Sequence, residues 1–165
     1  MANMNREVRQ LLDIINQAYD HQSWHGTNLR GSIRRVKADQ AAWRPGPSRH
    51  NVWETVVHAA YWKYAVSRRF RGDARGSFPL KGSNWFKTPQ EPSEKAWRSD
   101  VALLDQMHAQ LVDAVSGLSA RALTLTPPGK KVSNFAVLSG IAAHDLYHAG
   151  QIQLLKKLYS SHSMR

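Results

Sequence analysis

The chain has 165 residues, no cysteine and a net charge of +11. Its length fits one domain over 1–165 with a sizeable core, and the lack of cysteine excludes disulfides, thiolate metal sites and a cysteine nucleophile. No apolar run approaches the ~20 residues of a membrane span, and MANMNREVRQLLDII lacks a signal-peptide pattern, so a cytoplasmic protein without membrane contact is expected.

Four stretches carry helical periodicity. The first is predicted from about Asn5 to Tyr19, with Val8, Leu11, Leu12, Ile15 and Ala18 on one side. It resumes over Asn28 to Val36 after a kink at Trp24-His25-Gly26, where Thr27 and Asn28 are candidate caps. Trp24 and His25 either line a pocket mouth, with His25 as a further ligand, or sit as a packed tryptophan and a partly exposed histidine.

The second helix is predicted from Asn51 to about Arg71, after the connector Pro45-Gly46-Pro47-Ser48. Asn51 and Glu54 stand at capping-box spacing. Its apolar residues Val52, Trp53, Val56, Val57, Ala60, Tyr61 and Tyr64 spread around nearly the whole circumference. Such a helix must be covered on all sides, so a homodimer is expected to cover part of it, with Trp53, Tyr61 and Tyr64 in the core or on that face.

Residues 72–92 hold three glycines and three prolines, a loop long enough to let the second and third helices run parallel. The third helix is predicted from about Ser93 to Ser116, with the stripe Trp97, Val101, Leu104, Leu111 and Val115 and with His108 at the stripe's edge. After the turn-rich segment 124–131, the fourth spans about Asn134 to Tyr159, leaving 160–165 as a frayed tail.

The fourth helix reads His144-Asp-Leu-Tyr-His148. Residues four apart share a helix face, so both imidazoles can reach one ion. Val137, Ile141, Ile152 and Leu155 fall on or beside that face, which points the rings into the bundle. Two buried rings need partners, because an unpaired buried polar group costs roughly 1–3 kcal/mol. They are either core histidines bonded to carbonyls or to each other, or ligands of a shared metal. His58, midway along the second helix, supplies a third ring from a facing helix. Three protein ligands leave a position for water or substrate, as in catalytic zinc sites.

The order Trp43-Arg-Pro45, then His58 in an aromatic-flanked helix, then HDLYHAGQI at 144–152 resembles the DinB-like superfamily, which includes YfiT-type bacillithiol transferases. The resemblance spans essentially the whole chain. It implies an all-α four-helix bundle of up-down-down-up order, a divalent metal on His58, His144 and His148, frequent homodimers, and in some branches transfer of low-molecular-weight thiols. Three imidazoles suit zinc or nickel, with iron, cobalt or manganese as alternatives.

Gln151 shares the histidine face and either orients a ligand ring or the metal's water, or bonds a neighbouring helix. Glu54, one turn before His58, is either a helix cap or a general base. His108 reads as a boundary residue, and Tyr147 as packing against another helix. Residues 30–87 carry thirteen Lys or Arg against three carboxylates, which favours a small anionic substrate or is simply a solvated surface. Three functional classes follow: a metal-dependent transferase or hydrolase, a non-catalytic metal-binding stress protein, and a nucleic-acid binder. The last ranks lowest, since Arg30, Arg34, Arg35, Arg68, Arg69, Arg71 and Arg75 would have to form one stripe.

Overall fold

The structure is a computed structural model that describes residues 4–74 and 76–163. Among these residues it is all-helical: α1 (Arg6–Tyr19), α2 (Leu29–Ser32), α3 (Ala38–Ala42), α4 (Val52–Arg71), α5 (Glu94–Ser116), α6 (Ala120–Thr124) and α7 (Asn134–Ser163). The long helices pack in a ring, α4 against α5 and α7, and α1 against the same two. Among the described residues, no helix is long and apolar enough to cross a membrane.

Local chemistry sets most boundaries. The side chains of Asn5, Asn51 and Ser93 each accept a backbone N–H two or three residues on, satisfying donors a helix start leaves open. Gly72 ends α4 at φ 73°, a left-handed position that glycine occupies without strain. Asn51 also donates to the Ala42 carbonyl and to Thr88, tying α3, α4 and the 72–92 loop together.

Four elements differ from the sequence expectation. The resumed first helix shrinks to the single turn of α2, and α3 forms between Val36 and Pro45, where no element was predicted. Tertiary anchors hold this region: the Trp97 indole donates to the Val36 carbonyl, and Lys156 to that of Ser32. The short α6 had no strong periodic signal. α7 continues to Ser163, so residues 160–163 are helical rather than frayed, and the end of the expected tail lies outside the described residues.

The core falls into two apolar clusters. One gathers Trp53, Val56, Trp97, Leu104, Met107 and Ile152; the other gathers Val8, Ile15, Leu111, Val115, Leu138 and Ile141. A polar group stands between them on three long helices, with Lys63 on α4, His108 on α5 and Asp145 on α7 all buried. Lys63 donates to Asp145 and, at 3.3 Å, to Nδ1 of His108, whose Nε2–H donates to Asn16 of α1 at 3.1 Å. Tyr19 stacks on the His108 ring at 3.8 Å. His108 is therefore a core residue, not a boundary one. Its fixed partners make burial tolerable.

The 72–92 loop is packed rather than free. Phe78 and Phe86 are buried against Tyr61 of α4, with ring centroids 5.4 and 5.6 Å away. Trp53 is buried against Trp97, and Tyr64 lies under the loop beside Phe78. The unusual apolar girth of α4 is thus covered within one chain by α3, α5, α7 and the loop.

Candidate metal centre

His58 sits in the second turn of α4, and His144 and His148 one turn apart on α7, so the packing of α4 on α7 brings the three rings together. Nε2 of His144 lies 3.1 Å from Nε2 of His58 and 3.1 Å from Nε2 of His148. All three ligand nitrogens fall within 4.8 Å of one another.

The hydrogen bonds of the outer nitrogens decide where the protons are. Nδ1 of His58 donates to the Asn84 carbonyl at 2.8 Å, and a carbonyl can only accept. Nδ1 of His148 donates to Oε1 of Gln151 at 2.7 Å. In the neutral state both rings then present a lone pair at Nε2 toward His144. His144 has one proton to offer and two Nε2 neighbours, and its buried Nδ1 has no partner. At most one of the two 3.1 Å contacts is therefore a normal hydrogen bond, and the other sets two ring nitrogens together with no proton of its own between them. A cation among the three nitrogens removes that conflict and leaves every Nδ1 protonated, as metal-bound imidazoles require.

Spacing agrees. Two imidazole nitrogens about 2.05 Å from one ion are about 3.3 Å apart at a tetrahedral angle and about 2.9 Å apart at a right angle. The observed 3.1 Å falls between these limits and does not select one metal.

Burial tunes the same groups toward ligation. It pushes His144 down to about 3, with His148 and His58 nearby adding to the effect, and His148 down to about 4 against the opposing bond to Gln151. His58 is also lowered by burial. His144 and His148 stay neutral well into acid.

Three residues that the sequence reading passed over complete the site. Asn84 holds φ 64°, a left-handed position that asparagine tolerates better than most residues. From there its carbonyl holds His58 and its Oδ1 accepts the Trp62 indole N–H at 3.0 Å. Trp85 stacks on His58 at 3.8 Å, and His50 stacks on the other side of Trp85 at 3.6 Å. All three belong to the loop or its contacts, where no periodic pattern marks a side chain as structural.

The remaining sequence candidates separate. Gln151 reaches a ligand ring. Glu54 does not: its carboxylate takes two N–H groups of Arg44 and one of His50, at 3.0 Å or less for each. Burial raises its pKa, but these bonds outweigh it and hold the carboxyl below its ordinary value. An already charged, fully engaged carboxylate is a poor proton acceptor for His58, and it makes no hydrogen bond to that ring among the described contacts. Its backbone N–H is what the Asn51 cap receives, so Glu54 is an anchor for the Trp43-Arg44-Pro45 segment. Trp24 is fully exposed and packs on nothing, His25 is exposed beside Ser23, and Tyr147 is exposed rather than packed against a helix. Arg30 and Arg34 line clefts by α2, whereas Arg68 and Arg69 line one at the end of α4. The basic residues thus form two groups rather than one stripe, and Arg75 lies outside the described residues.

The profile of the DinB superfamily matches residues 21–152, a span that holds His58, His144, His148 and Gln151. The chain belongs to the DinB superfamily. No curated protein and no solved structure matches it. Membership of the DinB superfamily and the three-histidine cluster are together compatible with a metal-binding protein.

Proposed function

We propose that His58, His144 and His148 hold one divalent transition metal, zinc or nickel first, and that the protein is a metal-dependent enzyme acting on a small anionic thiol. The observation that carries this reading is the convergence of three Nε2 atoms that have at most one proton among them, which a cation suits better than a hydrogen-bond network does. A bound divalent ion would supply Lewis acidity, lowering the pKa of a water or thiol at its free position. The chain's own residues do the rest. Asn84 and Gln151 fix the His58 and His148 rings through their Nδ1 protons. Trp85, flat against His58, keeps water from that face. The chain has no cysteine, so a thiol must come from the co-substrate.

Thiol transfer is testable by spectroscopy. Cobalt-substituted protein should show a sulfur-to-metal charge-transfer band on adding one of bacillithiol, mycothiol, glutathione or cysteine, and His148→Ala should lose it. A silent panel removes the thiol reading. Metal-dependent hydrolysis then leads, with non-catalytic metal binding after it.

The fold and assembly are part of the same proposal. Trp53 donates to Asp100, and Lys63 to His108, in the same order along α4 and α5, which supports parallel neighbours in an up-down-down-up bundle. The homodimer is better carried by α7 than by α4, because Tyr147, Leu154 and Leu158 lie exposed on α7. Light scattering at tens of micromolar should give a dimer, and Leu154→Glu should give a monomer.

A further inference from the structure

A large cleft begins beside the three histidines. Trp62 has its ring 6.4 Å from those of both His58 and His144, and it forms part of the wall of a cleft of about 1000 Å³. His58, Trp62, Ala65 and Arg69 recur at helical spacing along one stripe of α4, and the last three line the cleft. Val137 of α7, seven residues before His144, lines its other side. The metal site and the cleft therefore share one interhelical groove.

The cleft has a distinct chemistry at its far end. Tyr61, Trp62 and Phe78 give it an aromatic flank, while Arg68, Arg69, Lys81 and Lys130 give it four cations. Its single carboxylate, Asp73, is bound to Arg71 at 2.9 Å. Among the described residues none of the four cations is in an ion pair. Arg69 donates to the Val132 carbonyl at 3.3 Å, and its Nε is buried without a partner. Four cations on one cleft whose single carboxylate is already held by Arg71 repel one another unless an anion joins them.

We propose that this cleft binds the anionic end of an elongated small molecule, a carboxylate or phosphate held by Arg68, Arg69 and Lys130, with its apolar body along Trp62 and Tyr61 and its reactive end at the three histidines. The proposal rests on the metal-site reading for that reactive end only. At 1.5 Å per residue, Arg69 is about 16 Å along α4 from His58, and arginine reach shortens the gap to roughly 10 Å. A two-atom ligand cannot meet both ends, so the groove selects for length as well as charge.

Calorimetry with 4-phenylbutanoate, 3-phenylpropyl phosphate and the neutral 4-phenylbutanamide tests this on protein stripped of metal, so that carboxylate binding to an ion does not contribute. At least one of the two anions should bind at least tenfold more tightly than the amide, and the stronger one tells carboxylate from phosphate. Arg69→Gln and Lys130→Gln should each weaken that anion at least fivefold, and Arg69→Lys less than threefold. Lys130 lies in a connector, so its variant leaves every helix intact. Equal binding of amide and anions, no binding of either anion, or full affinity in the Arg69→Gln/Lys130→Gln double variant would overturn the proposal. Metal content measured on the same preparations separates the two readings. Anion binding without metal uptake condemns only the three-histidine site, and metal uptake without anion binding condemns only the cleft. On cobalt-loaded protein the ring protons of the bound anion should be paramagnetically broadened, and sharp ring signals at saturation would contradict the shared groove.

Discussion

Nδ1 of His58 donates to the backbone carbonyl of Asn84 at 2.8 Å, and Asn84 can aim that carbonyl only from its left-handed conformation. A β-branched residue is strained at positive φ. Asn84→Val should therefore turn the carbonyl away and weaken metal binding, by the ~10–100-fold typical of lost partners behind a ligating histidine. Asn84→Gly keeps the backbone and should stay within about threefold by the same reasoning. Competition against a chromophoric chelator reads both, and equal affinities for the two variants would refute the role of the carbonyl.

Gln151 makes the matching bond to His148, at 2.7 Å. Gln151→Leu removes the acceptor and should cost ~10–100-fold in metal affinity, whereas Gln151→Glu should hold or strengthen it. Affinity unchanged in the leucine variant would mean that His148 needs no such partner.

Acid should act differently on metal-loaded and metal-free protein. The sequence alone suggests metal release near pH 6, the ordinary histidine value. Burial lowers His148 to about 4 and His144 to about 3, so protons compete less well for these nitrogens. Release should come below about pH 5. In metal-free protein the sign is opposite to a paired histidine. The unfolded chain takes up protons below about 6.5 while the native one does not, so stability is present above 6.5 and is lost as pH falls toward 4. His108, pushed down to about 3 by burial and by Lys63, adds to this. Each such histidine contributes a slope of up to roughly 1.4 kcal/mol per pH unit. Chemical denaturation at pH 7, 6 and 5 checks it, and a flat profile would contradict these burial effects.

Lys63 and Asp145 form a buried ion pair between the two apolar clusters. Burial pushes the Asp145 carboxyl up, and the ammonium beside it pulls back. Asp145→Ala strands the Lys63 charge and should cost ~3–5 kcal/mol, while Lys63→Met/Asp145→Leu should recover much of that loss. A double variant no more stable than Asp145→Ala would show that shape, not charge, governs this layer.

How much of this was legible in the sequence follows from where the signal lies. The long helices show because caps such as Asn51 and Ser93 and the apolar stripes are local patterns. His58, His144 and His148 show because two share a turn and the third stands in a facing helix. Asn84 and Trp85 could not show, since their roles depend on how a loop without periodicity folds back onto α4. Glu54 misled for the opposite reason: its spacing from His58 is right, but its carboxylate points to Arg44, which is distant in pattern though near in space. The packing of Phe78 and Phe86 against Tyr61 of α4 could not show either, because it too depends on how the loop folds back.

The central claim is that three convergent imidazoles hold one ion. Elemental analysis of untagged protein, reconstituted and then dialysed, tests it most directly. About one divalent transition metal per chain is expected, as for other three-histidine sites, with less than about a tenth of that in His144→Ala. No metal uptake by the native chain, or full occupancy in the folded His144→Ala variant, would contradict it.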